Sequence, residues 1–165
     1  MKKLDNKTII SIGSDHRGFK IKKKIISFLE KEKYNVQDRG CFSEERCDYP
    51  DYGILVSEDV RKKRSKCGIL ICASGIGMSI VANKFPGIRA ALCTCAGQAK
   101  MAVEHNNANI LCLSAKFNTF EEIKKIITAW LNTKFAGGRR HLRRINKIKK
   151  LEEKLYGKGD RKNKE

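Results

Sequence analysis

The run Cys67-Gly68-Ile69-Leu70-Ile71-Cys72 constrains this chain more than any other segment. It is apolar at both odd and even positions, so it lacks the alternation of a strand with one wet face. A short strand of that kind must be covered on both sides, which is the situation of a central parallel strand. It ends in Cys72-Ala73-Ser74-Gly75-Ile76-Gly77, with helical spacing beyond. Thr8-Ile9-Ile10-Ser11-Ile12-Gly13, Tyr34-Asn35-Val36-Gln37-Asp38, Ile88-Arg89-Ala90-Ala91-Leu92-Cys93 and Ala108-Asn109-Ile110-Leu111-Cys112-Leu113 supply four more strands. Helical patterns separate them: one after Gly18, one over roughly 51–63 opened by Pro50, and others near 97–105 and 119–132. Strict alternation predicts an α/β fold, a doubly wound, Rossmann-like five-stranded parallel sheet with helices on both faces. A last helix over roughly 139–155 carries Leu142, Ile145, Ile148, Leu151 and Leu155 on one face and can pack on a partner or on its own sheet.

A chain of 165 residues fits one domain, expected over 1–155, with a basic, solvated tail over 156–165. Neither a signal peptide nor a membrane span is readable, which points to the cytoplasm. Seven cysteines are an odd number, and several lie in apolar strand patterns, so no disulfide framework is implied. Structural zinc is disfavoured because Cys93-Thr94-Cys95 and the interval from Cys41 to Cys47 lack ligand spacing. The net charge of +18 raises nucleic-acid binding, yet residues 134–165 alone carry a net +9, and no aromatic interleaving or binding motif accompanies them.

The loop at Cys72 leaves a strand and enters a helix, so backbone N–H groups and the helix dipole make a place for negative charge. A cysteine there gains thiolate character and becomes a competent base or nucleophile. Read alone, the same residues describe equally well the buried end of a strand followed by a turn. A dinucleotide fingerprint belongs after the first strand, which here ends in Gly13-Ser14-Asp15-His16-Arg17-Gly18, so a nicotinamide cofactor is disfavoured. Asp15 and His16 fit a helix cap and a surface imidazole, or a site at the strand's carboxyl end. His105 closes a helix, either as its C-terminal cap or, near the same sheet edge, as a site residue. Arg139 and Arg143 lie one helical turn apart and can grip one phosphate, unless they belong to a solvated basic helix.

Taken together, Ser14-Asp15-His16-x-Gly18-Phe19, Asp48-Tyr49-Pro50, the stretch from Ile71 to Lys84, Gly87-Ile88-Arg89-Ala90, His105-Asn106-x-x-Asn109 and Gly137-Gly138-Arg139 resemble the type B ribose-5-phosphate isomerases, in that family's order and over about residues 8–150. The resemblance implies an intramolecular oxidoreductase of the pentose phosphate pathway, interconverting ribose 5-phosphate and ribulose 5-phosphate through a cis-enediolate. It implies no metal and no organic cofactor. It also implies a homodimer, or a tetramer, with the site shared between subunits and the C-terminal helix in the dimer contact. Cys72 would be the base between C2 and C1, with Ser74 and the amides of Ala73, Gly75, Ile76 and Gly77 holding the enediolate oxygen. Asp15 and His105, the latter from the partner subunit, would open the ring, with Asn106 positioning it. His16, Arg139 and Arg143 would hold the phosphate, and Tyr49 would line the sugar pocket.

One branch of that family uses a glutamate where this chain has Met78, which indicates the cysteine branch. Lys116 stands where many members have a phosphate-binding arginine, keeping the charge but losing the bidentate fork. The related galactose-6-phosphate isomerases split these groups between two kinds of subunit, whereas one chain here holds Cys72, His105, Arg139 and Arg143, which favours a homo-oligomer. An isomerase of allose or galactose 6-phosphate is the alternative substrate reading. A nucleic-acid-binding protein is the alternative of another class.

Overall fold

The computed structural model describes residues 8–157; the remainder of the expected basic tail and the first seven residues lie outside them. The order is β1 (Ile9–Ser14), α1 (Phe19–Lys31), β2 (Asn35–Asp38), α2 (Tyr49–Arg61), β3 (Cys67–Cys72), α3 (Ile76–Ala82), β4 (Ala90–Leu92), α4 (Ala96–Asn106), β5 (Ile110–Ser114), α5 (Phe120–Asn132) and α6 (Arg139–Tyr156). All strand pairs are parallel, and the sheet runs β2-β1-β3-β5-β4. β3 is thus the middle strand, and all six of its residues are buried. The winding reverses between β1 and β3, and the carboxyl ends there are the place where sheets of this kind open a crevice.

Each face of the sheet has its own core. On one face Ile10, Ile12, Ile69, Ile71, Leu111 and Leu113 meet Ile25 and Leu29 of α1, Val103 of α4, and Ile123, Ile127 and Trp130 of α5. On the other, Leu70, Cys72, Ile110 and Cys112 meet Val56 and Val60 of α2 and Met78 and Ala82 of α3. Each fully buried Ile or Leu stabilises the fold by about 1.5–3 kcal/mol relative to exposure. Cys72 therefore belongs to the α2–α3 side, and Met78, with no exposure, is core.

Two buried ionic groups fix the loops around β1. Asp59 has no exposure and accepts from Ser11 Oγ at 2.8 Å, Arg39 Nη2 at 2.8 Å and Arg64 Nε at 2.8 Å. Burial pushes its carboxyl up, but the bonds from Arg39, Ser11 and Arg64 outweigh that and hold it below the usual carboxylate range. Lys22, from the lysine-rich helix α1, is fully buried, paired with Asp38 and donating to the Cys41 carbonyl at 2.7 Å.

α6 lies against its own domain at two points. His141 stacks on His105 of α4, and Glu152 Oε2 accepts from the Gly87 amide at 3.0 Å. Its apolar stripe stays open: Leu142, Ile148, Leu151 and Leu155 are all exposed. No helix among the described residues is long and apolar enough to cross a membrane.

Candidate active site

The carboxyl ends of β1 and β3 bring Asp15 and Cys72 together. Ser14 is paired with Ile71 in the sheet, and the Asp15 amide donates to the Ile71 carbonyl at 3.3 Å. Asp15 is buried, and its Oδ1 accepts from the Gly18 amide at 2.9 Å. Gly18 is required there: a Cβ would lie 2.8 Å from the Ile71 carbonyl oxygen, so any side chain would push the Asp15 turn off β3. Asp15 thus closes its own turn and does not cap α1, whose N-cap is Gly18 without a side-chain cap.

Cys72 is 5% exposed and the Gly75 amide donates to its Sγ at 3.1 Å. The sulfur thus has an N–H in line for the charge it would carry after giving up a proton. Gly75 makes this possible by taking φ 76°, in the left-handed region that favours glycine. Ser74 Oγ accepts from the Ile76 amide at 3.3 Å, tightening the entry into α3. From β5, Ser114 Oγ donates to the Ala73 carbonyl at 2.7 Å and the Lys116 amide donates to it at 3.0 Å. Lys116 therefore stands beside the thiol loop, its ammonium 5.5 Å from the Phe117 ring centre. The Tyr49 ring lies flat on Gly77, where a Cβ would be 2.6 Å from Tyr49 Cζ. His16, half-buried, is bracketed by the backbone of Cys47, with its Nδ1 3.1 Å from the carbonyl oxygen and 3.3 Å from the amide nitrogen.

His105 is elsewhere, and the reading that placed it near the carboxyl edge is corrected. α4 starts beyond the carboxyl end of β4 and runs back across the sheet, so His105 and Asn106 fall at the amino edge, just before β5. Asn109 there accepts from the Gly68 amide at the start of β3. Four residue steps of β3 separate Gly68 from Cys72, a rise of about 13 Å. One imidazole cannot bridge that span to the thiol of its own chain. Arg139 and Arg143, both exposed, project from the first turns of α6 beside this corner.

The corner also holds a residue that the sequence reading passed over. His141 is 6% exposed and its ring lies parallel to that of His105, centroids 4.6 Å apart. Its Nε2 accepts from Arg140 Nε at 3.1 Å, and burial with the neighbouring Arg140, His105 and Arg144 holds its imidazole below the usual pKa. Arg89 ties the corner to the sheet, its Nε donating to the Asn107 carbonyl at 2.8 Å and to the Asn106 carbonyl at 3.2 Å. Asn109 Oδ1 accepts from the Arg89 amide at 2.8 Å. The Gly87–Ala90 and His105–Asn109 motifs are thus two sides of one clamp that sets the end of α4. Among the described residues no three His, Cys, Asp or Glu side chains gather as a metal-holding group.

A thiol and a buried carboxylate meet at the switch point of a parallel sheet, which is where α/β enzymes of this class carry their sites. The chain belongs to the ribose/galactose isomerase family, whose model matches residues 10–148. It is 44% identical over 145 residues to the probable ribose-5-phosphate isomerase B of Mycoplasma genitalium, covering 87% of this chain and 95% of that relative. The solved structure of the Clostridium thermocellum ribose-5-phosphate isomerase B superposes with a TM-score of 0.87 at 46% identity, covering 89% of this chain and 99% of that one. The Mycoplasma genitalium isomerase with bound ribulose-5-phosphate superposes at 0.85 with 43% identity, covering 89% and 97%.

Proposed function

We infer that this chain is an aldose–ketose isomerase interconverting ribose 5-phosphate and ribulose 5-phosphate, with each site assembled from two copies. The observation that carries the chemistry is Cys72 on the central strand end, buried, with an N–H on its sulfur and Asp15 just past the end of the next strand. The C2 proton of an aldose is a weak acid, so its removal needs a base and a place for the charge that develops on the adjacent oxygen. Cys72 takes that proton and returns it to C1. Ser74 and the amides of the 73–77 loop hold the enediolate oxygen, and Tyr49 walls the sugar against Gly77. His16 and Lys116 meet the phosphate from this chain.

Ring opening needs a second proton-transfer pair, Asp15 with an imidazole. His105 of the same chain is a strand's length away, so the imidazole comes from a second copy, along with Asn106, Arg139 and Arg143. Two observations support that assembly. The α6 stripe is open, and Ile76 and Ile80 of α3 and Met101 of α4 are each more than half exposed, leaving apolar surface for another chain to cover. A homodimer satisfies this with one repeated contact, each copy lending its corner to the other's thiol. Reaction and assembly both belong to a soluble, cytoplasmic setting.

The test is the isomerase assay with ribose 5-phosphate in the presence of a chelator, run beside allose 6-phosphate and galactose 6-phosphate. Ribose 5-phosphate turns over with the highest kcat/KM and the chelator leaves it unchanged. A strong hexose preference would overturn the pentose assignment.

A further inference from the structure

Cys41 and Cys47 have no part in the isomerisation, yet they meet at the edge of its site. They bound the irregular segment between β2 and α2. Cys41 is 3% exposed: its amide donates to the Ser14 carbonyl at 2.7 Å, and its Sγ donates to the Ser43 carbonyl at 3.3 Å and lies 3.9 Å from Ser14 Oγ. Cys47 is half-buried, and its backbone brackets His16. The Cys47 side chain meets both the Cys41 thiol and the Tyr52 hydroxyl. Tyr52 in turn is packed on Gly40, where a Cβ would lie 2.6 Å from its ring. Two thiols and a phenol thus lie together beside the short loop 42–46. A disulfide needs Cβ atoms within about 3.5–4.5 Å, so the bridge closes by a shift of the Cys47 end of the loop toward the Cys41 thiol, whose backbone is held at Ser14.

We propose that Cys41 and Cys47 are an oxidation site that closes to a disulfide when the protein meets a hydroperoxide. The more accessible sulfur, Cys47, attacks the peroxide; the O–O bond breaks, water or an alcohol leaves, and Cys47 becomes a sulfenic acid. Cys41 sulfur then displaces that hydroxyl, which takes the Cys41 proton and departs as water. Two thiols have lost two electrons in total and one peroxide has gained them. Burial pushes the Cys41 thiol up, which suits the second role rather than the first. Cys67, Cys93 and Cys112 are poorer candidates, since burial pushes Cys67 up to about 12, Cys93 up to about 11 and Cys112 up as well. Cys47 also carries both backbone contacts to His16, so closing the bridge displaces the phosphate-side imidazole; this consequence rests on the isomerase reading, whereas the bridge itself does not.

The experiment treats the full chain with hydrogen peroxide, alkylates the remaining thiols and digests with trypsin. Arg46 lies between the two cysteines, so cleavage there separates residues 40–46 from residues 47–61. The two peptides remain joined, lighter than their sum by two hydrogens, and come apart with a reductant. Cys47→Ser, at the more exposed position, abolishes the joined pair. Recovery of the two peptides singly, alkylated or over-oxidised, after peroxide treatment overturns the proposal. In the kinetic arm, the joined protein shows a KM several-fold higher with the reductant restoring it, and Cys47→Ser shows no peroxide-dependent change in KM. A joined pair with unaltered KM would leave the oxidation site standing and refute its link to His16. If no isomerase activity is found at all, the peptide masses still decide.

Discussion

The strand-end half of the site and the α4–α6 corner are built in opposite ways. At the strand ends the groups are set mainly by backbone: Asp15 by the Gly18 amide and the Ile71 carbonyl, Cys72 by the Gly75 amide, and the Ala73 carbonyl by the Lys116 amide with the Ser114 hydroxyl. Glycines are in contact there, and a side chain at Gly18 or Gly77 would strike its neighbours below 3 Å. At the corner, Gly87 and Gly137 have nothing within 4 Å of a hypothetical Cβ, and Arg139, Arg143 and Asn106 stand exposed. The first half is preorganised within one chain, as the proposed proton transfer requires. The second is presented outward, with His105 and His141 braced on each other and the arginines left for a ligand or a second chain.

The largest effect comes from breaking the strand-end half at its base. On the proposed mechanism Cys72→Ala removes the proton carrier and little volume, so kcat falls by about 10²- to 10⁴-fold while the thermal midpoint stays near that of the parent. Near-normal turnover would remove Cys72 from the mechanism. Next is the frame beneath that half. Asp59→Ala leaves Arg39 and Arg64 without their shared carboxylate, and because both reach solvent the cost falls at the lower end of the range for a broken buried pair, about 3 kcal/mol in denaturant unfolding. The pH dependence has a definite sign. The folded-state pKa of Asp59 is depressed, so its contribution is complete above the ordinary carboxylate value of about 4 and is lost as pH falls from there through the folded value. Asp59→Ala flattens acid unfolding in that window.

The corner is broken by His105→Ala, with a smaller and more selective result. Turnover of the cyclic sugar falls by more than that of an open-chain substrate, since only ring opening has lost its imidazole; equal losses would refute that role. Mixing the two variants sharpens the comparison further. If each site takes Cys72 from one chain and His105 from the other, a mixed dimer of Cys72→Ala and His105→Ala has one intact site, and random exchange restores about a quarter of parental activity. Sites confined to single chains would restore none.

The two halves were unequally legible in the sequence. The strand-end half lies on elements whose signals are local: β3 begins and ends where its apolar run does, and Asp15 and Cys72 sit where strands give way to glycine turns. Strand order was not legible, because periodicity reports which face is buried but not which strand is the neighbour; β5 lies between β3 and β4. β4 is shorter than its apolar pattern, since Ile88 is taken by a turn onto Phe85 and the Arg89 amide by Asn109. Nothing in the sequence sets Lys22 apart from the other lysines of α1; its burial follows from Asp38 and the Cys41 carbonyl. The corner depends on pairs far apart in the chain, His105 with His141 and Gly87 with Glu152, and on the direction in which α4 crosses the sheet. His141, within an arginine run, carried no local sign of its stack.

That stack supplies the smallest predicted effect and the most direct test of whether the corner is braced before any partner arrives. Burial, with Arg140, His105 and Arg144 beside it, lowers the pKa of His141 against the weaker pull of Glu104. Its folded pKa is below the ordinary imidazole value of about 6.5, so the unfolded chain binds the proton more readily, and whatever the stack contributes is complete above that value and declines as pH falls below it. Acidification from neutral pH therefore loosens α6 from α4 before it touches the sheet, and the protection factors of α6 amides, corrected for the slower intrinsic exchange in acid, fall while those of β3 amides are unchanged. His141→Gln, which keeps a polar group of similar reach but cannot take up the proton, removes the pH dependence of α6 protection. If α6 and β3 respond alike to acid, the corner is part of the same cooperative unit as the strand ends, and the contrast drawn between the two halves fails.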